Sequence, residues 1–267
     1  MQRLAVLAVL LVSAMRINAA EVVLYDGSLG TLPNAQSWLA LGTGTFQVPT
    51  HTGQGTNIDT SADANAQFGY FSEDPLFGTA QHPLLPTLSR QDGFEVSFSL
   101  QIISEDHALR DDNGDGKYDR AGFSAIVISD DLFGLELGFF DDKVWAYEDG
   151  QTNPADLFTQ AEGALIDTTQ LIDYRLRGDT NGYTLFANEV NILSGDWRQY
   201  SASPLFPYDN PSSLFFGDDT TSASSNVLLA DIAVELGPFP EPTPVPIPPA
   251  ALMMFAGSVA LRVVCRG

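Results

Sequence analysis

The sequence predicts an all-β protein, one jelly-roll-like antiparallel β-sandwich. Three observations carry this. Between residues 21 and 237, short runs alternate apolar and polar side chains with period two, the mark of half-buried strands. Gly, Asn, Asp and Pro punctuate those runs. No segment holds a long helical period, and only residues 153–160 suggest a turn of helix. About 220 residues make up this body, enough for one all-β domain with a sizeable core.

The chain opens with Met1-Gln2-Arg3, an apolar run over residues 4–12, and small residues ending at Asn18-Ala19-Ala20. A short basic start, an apolar stretch and a small-residue exit predict a secretory signal peptide over residues 1–20, cut after Ala19 or Ala20. The run is shorter than the about 20 apolar residues that span a bilayer. No Cys stands at the exit, which argues against a lipoprotein.

In the body (21–237), alternating or β-rich runs occur at residues 21–25, 94–103, 121–129, 134–140, 144–147 and 227–235. Residues 174–193 read as a three-stranded meander, with turns at Asn181-Gly182 and Asn188-Glu189. Between the runs at 94–103 and 121–129 lies Asp111-Asp112-Asn113-Gly114-Asp115-Gly116-Lys117-Tyr118-Asp119. Oxygen side chains at loop positions 1, 3, 5 and 9, with Gly at 6, predict a structural calcium loop. Asp111, Asn113 and Asp115 would offer side chains, Lys117 its carbonyl, and Asp119 a direct or water-mediated contact. Position 12 is Gly122, so a further ligand is expected from Glu105 or Asp106. The plain alternative is a solvated loop of Asn-Gly and Asp-Gly turns.

Charge and cysteine narrow the function. The formal charge is −22. All 34 acidic residues lie within residues 21–249, while Arg3, Arg16, Arg262 and Arg266 fall outside them; that part carries about −26. No basic footprint for nucleic acid exists. The only cysteine is Cys265, so the body has neither a disulfide nor a cysteine nucleophile. Gly27-Ser28-Leu29-Gly30 is not a serine-hydrolase elbow, and His51, His82 and His107 lack zinc-ligand spacing. Glycosidase chemistry needs paired carboxylates. Glu136 is a candidate for one, but Gly138 and Asp141 stand where related hydrolases alternate Glu-x-Asp-x-x-Glu, so the set is incomplete and Glu136 is expected to be a solvent-facing or hydrogen-bonded strand residue. Trp145 and Tyr147, beside Phe139 and Phe140, could form a sugar-stacking platform or fill the core.

Residues 238–249 form a Pro-rich linker, and 250–267 a short hydrophobic segment with a basic end. Prolines hold an extended chain open to a protease, and an apolar segment with terminal arginines orients in a membrane. Val245-Pro246-Ile247-Pro248-Pro249, with Pro240-Glu241-Pro242 upstream, resembles the VPLPA form of the PEP-CTERM sorting signals, with one extra proline inside the motif. That resemblance implies an exosortase-type processing enzyme as partner and surface or matrix attachment in a Gram-negative bacterium. A plain membrane anchor and an unused tail are the alternatives. The meander and residues 213–217 resemble the concanavalin A-like and laminin-G-like family. The run from Tyr25-Asp26-Gly27 through Arg120-Ala121-Gly122-Phe123 to Phe216-Gly217-Asp218 resembles the bacterial choice-of-anchor domains, Y type. These resemblances imply the sandwich fold and no chemistry. The expected function is a non-catalytic, exported surface or matrix protein that binds extracellular polysaccharide, with a structural calcium ion. A polysaccharide-degrading hydrolase is the alternative.

Overall fold

The computed structural model describes residues 20–73, 81–107, 109–201 and 206–239. Residues 1–19 of the predicted signal peptide, the motif at Val245, Pro246, Ile247, Pro248 and Pro249, and the hydrophobic C-terminal segment lie outside the described residues. Among those described, no helix is long and apolar enough to cross a membrane.

Sixteen strands follow in order among the described residues. They are β1 (Val22–Asp26), β2 (Leu39–Thr43), β3 (Gln47–His51), β4 (Thr56–Asp59), β5 (Gln67–Phe71), β6 (Phe94–Asp106), β7 (Ser124–Ile128) and β8 (Phe133–Phe139). Then come β9 (Lys143–Tyr147), β10 (Gln160–Leu165), β11 (Ile172–Asp179), β12 (Gly182–Ala187), β13 (Val190–Gly195), β14 (Arg198–Gln199), β15 (Ser213–Asp218) and β16 (Ser224–Leu236). The turn suggested at 153–160 is a single 3-10 turn, Pro154–Asp156, capped by the Asn153 side chain on the Ala155 amide.

The strands form two antiparallel sheets. One runs β13-β12-β11-β6-β16-β4-β3, with β1 beside the second half of β16. The other runs β10-β9-β8-β7-β15-β5-β2, with β14 beside β8. The meander is β11, β12 and β13. Its second turn puts Asn188 and Glu189 at φ 46° and 68°, with Ala187 paired to Val190 on either side. Two residues in the left-handed region match the twist of a tight hairpin.

The core lies between the sheets. From the first sheet, Val96, Phe98, Leu100, Leu176 and Leu229 face Ala125, Val127, Leu135, Leu137 and Phe216 of the second. Phe98 sits at the centre, its ring 5.3 Å from Tyr174 and 5.2 Å from Phe216. The second sheet also buries its outer face. Ile126, Ile128, Phe71 and Phe215 pack there under Tyr200 and Tyr208. This second apolar layer, covered only in part, creates the cleft described next.

Candidate functional site: a cleft on the outer face of the second sheet

Strand register builds the floor of the cleft. Phe215 pairs with both Phe71 and Ile126, and Ile126 pairs with Glu136. These four side chains therefore stand in one row across β5, β15, β7 and β8 on the outer face. The cavity above them has a volume of about 560 Å³. Its two halves differ. Leu41, Phe71, Phe158, Phe206, Pro207 and Phe215 line one side. Gln67, Arg110, Arg120, Glu136, Asp218, Asp219 and the hydroxyl residues Thr220, Thr221 and Ser222 line the other.

The aromatic half is a cluster of tilted rings. Phe71 lies 4.6 Å from Phe215 and 5.0 Å from Phe206, centroid to centroid. Phe206 is 42 % exposed, so one of these rings presents a face to solvent.

The polar half centres on Glu136. Its carboxyl is buried, and accepts from the Ser124 hydroxyl at 3.0 Å and from the Tyr208 hydroxyl. Burial, and then the charge of Asp219, push its pKa well above the usual carboxylate range. Asp219 is raised to about 6 by desolvation, against the Ser124 hydroxyl and the charge of Arg120, which lower it. Asp218, just inside the end of β15, is buried and raised to about 8, also by desolvation. Its oxygens accept from the Thr60 hydroxyl at 2.6 Å and the Thr220 amide at 3.1 Å. Near neutral pH the floor thus holds protonated Asp218 beside Asp219 and Glu136, whose proton affinity burial also raises. Such a set both donates and accepts hydrogen bonds.

One wall of the cleft is tied to the predicted calcium loop. Asp111 accepts from the amides of Gly114, Asp115 and Gly116 at 2.6, 3.0 and 2.8 Å. Gly116 takes φ +86°, a conformation strained for other residues, which lets the loop curl around Asp111. Asp115 accepts from the Lys117 amide and pairs with its ammonium at 2.6 Å. Asp119 is fully buried, and its two oxygens accept from the Asp112 and Gln160 amides at 2.7 and 2.9 Å.

No protein-family model matches the chain, and no curated protein does. Solved structures do. A carbohydrate esterase, vb_24B_21, from Shiga toxin-encoding bacteriophage phi24B aligns over 82 % of this chain and all of its own, at 14 % identity and a TM-score of 0.52. The VIP36 exoplasmic/lumenal domain aligns over 84 % of this chain and 91 % of its own, at 11 % identity and 0.45. The carbohydrate-binding module CBM66 from Bacillus subtilis aligns over 74 % and 95 %, at 10 % identity and 0.40. At these identities the likeness is one of fold. The predicted jelly-roll-like sandwich is the fold this chain adopts.

The structure gathers some of the predicted site residues and separates others. Asp111, Asn113 and Asp115 share one turn, but Asp119 points into the protein and secures the base of the loop to Gln160. Glu105 pairs with His107 at 2.6 Å. Among the described residues, no three Asp, Glu, His or Cys side chains stand close enough to hold a metal ion. The expected ligand set is therefore corrected to Asp111, Asn113, Asp115 and the Lys117 carbonyl, an incomplete shell for an ion that takes six to eight oxygens.

The proposed platform is corrected too. Trp145 is fully buried and Tyr147 nearly so, packed with Phe140 and Phe158. Trp145 packs against Gly138, where a Cβ would come within 2.7 Å of its ring. Gly138, which stands where an acidic residue was sought, is thus required by packing. Tyr147 borders the cleft from below, its hydroxyl accepting from the Ala121 amide at 3.3 Å. Sequence reasoning missed Phe206, Asp218 and Asp219. Only the Asp218-Asp219 doublet after a strand offered a signal, and its meaning depends on β15 pairing with β7.

Proposed function

We propose that the protein is a non-catalytic, exported surface or matrix protein that binds extracellular polysaccharide in the cleft of its second sheet. One observation carries the reading: a cavity of about 560 Å³ with an aromatic half and a half made of carboxyls, an amide and hydroxyls. Sugars have the same two characters, apolar C–H faces and a rim of hydroxyls, and aromatic rings with adjacent polar groups recognise both. The predicted signal over residues 1–20 and the sorting-type tail over 238–267 support export and attachment. In this reading an exosortase-type enzyme processes the tail, and a calcium ion at the Asp111 loop stiffens one wall of the cleft.

Affinity electrophoresis in gels containing soluble polysaccharides tests the binding. Retardation by at least one glycan, lost in Phe206→Ala with an unchanged melting temperature, is the expected result. Equal mobility in every gel would remove the proposal.

A second reading has one specific observation in its favour. Glu136 and Asp219 share a cavity and differ in proton affinity, as acid and base partners in glycoside hydrolysis do. Release of reducing ends from a bound polysaccharide, abolished by Glu136→Gln, would establish it in place of simple binding.

A further inference from the structure

The glycan reading leaves the class of sugar open, and the charge balance of the cleft narrows it. This step rests on that reading. We infer that the cleft takes an uncharged saccharide chain and discriminates against uronate and sulfated sugars.

Recognition of a sugar carboxylate or sulfate calls for an arginine with a free fork of donors. The cleft has two arginines, and both already share one carboxylate. Arg110 binds Asp112 through Nε, and Arg120 binds it through Nη2 at 2.5 Å. Arg120 also donates to the carbonyls of Asp119 and Phe158 at 3.0 and 2.7 Å. Among the described residues, no other Lys, Arg or His borders the cavity.

The Asp112 carboxylate faces both arginines, and burial favours the protonated forms of Glu136 and Asp218. The cleft therefore offers an anionic ligand no free cationic group, though it has hydrogen-bonding groups of both kinds. The part of the chain that holds the cleft, residues 21–249, carries about −26 of charge, whose field repels polyanions at low salt. On the other wall, Phe206 and Phe71 offer ring surface to the C–H face of a pyranose.

The test is calorimetric titration of the full chain with oligosaccharides of equal length. The neutral probes are glucan, mannan, galactan and xylan oligomers; the charged probes are oligogalacturonate, oligomannuronate and sulfated galactan oligomers. Each is measured at about 20 and about 500 mM salt. The expected result is a neutral oligomer that binds at least about tenfold tighter than any charged one, with less than about a twofold change between the salts. Phe206→Ala should weaken that binding about tenfold while the melting temperature holds. A charged oligomer binding as tightly as the best neutral one would overturn this inference and leave the glycan cleft standing. No binding by any probe, or binding indifferent to Phe206→Ala, would overturn the glycan cleft itself and the inference with it.

Discussion

Replacing Asp218 by Asn should flatten the dependence of stability on pH. In the fold, Asp218 keeps its proton up to about pH 8, because it is buried at the end of β15. Its ordinary value is 3.8. Between those values the folded chain holds a proton that the unfolded chain has released, so rising pH favours unfolding. Stability is fullest below about pH 4, and the loss is complete only above about pH 8. Each tenfold in proton affinity is worth about 1.4 kcal/mol, so this one group accounts for a loss on the order of 5 kcal/mol. That is comparable to the whole stability of many domains. Asn keeps the geometry. Its oxygen accepts from the Thr220 amide, its NH2 faces the Thr60 hydroxyl, and that hydroxyl has the Ser225 carbonyl at 3.3 Å as an acceptor. Urea unfolding of both proteins from about pH 5 to about pH 8 checks this. The wild type should lose several kcal/mol more than Asp218→Asn over that span, and the variant should be the more stable of the two at the alkaline end. Parallel curves would refute the reasoning, since they would mean that Asp218 ionises alike in both states.

Other substitutions separate structural roles from binding roles. Asp119→Ala should cost about 2 kcal/mol in calcium and in chelator alike, because it strands the buried Asp112 and Gln160 amides. Asp115→Ala should instead abolish the heat of calcium titration; a wild type with no such heat would dismiss the ion. Glu95 is buried and pairs with Arg175 at 3.2 Å and Arg177 at 2.8 Å on the first sheet, so Glu95→Gln should cost about 2 kcal/mol, less than a fully buried pair because both arginines are partly exposed. Trp145→Ala should lower stability by about 4 kcal/mol, whereas Trp145→Phe should leave glycan affinity unchanged. A loss of affinity in Trp145→Phe would restore the platform rejected above.

The strands that alternate strongly were legible. Residues 94–103 and 227–235 lie in the two long strands β6 and β16, and the predicted meander is β11 to β13. Asn188-Glu189 announced a tight turn and forms one. By contrast, β2 to β5 were not read, since Gly, Thr, Asn and His dilute the pattern in Leu39–Thr43, Gln47–His51 and Thr56–Asp59. Glu136 shows the limit at the site. Alternation places it on one face of its strand, but not which face, nor that Tyr208 and Ser124 would bind it there. The cleft needs Phe71, Glu136, Phe206 and Asp219 together, and only long-range register through β15 brings them into one place. Of the two roles the sequence left open for Trp145, burial is the one the structure shows, because the sandwich has a second apolar layer outside the second sheet and a tryptophan alternating outward is buried there too.

The cleft itself is tested most directly by hydrogen exchange with and without a bound neutral oligosaccharide. Slower exchange confined to residues 41–43, 67–71 and 215–222, on the second sheet and its adjoining loop, is the predicted result. Protection on the first sheet around Glu95, Arg175 and Arg177, with none in those three segments, would contradict it.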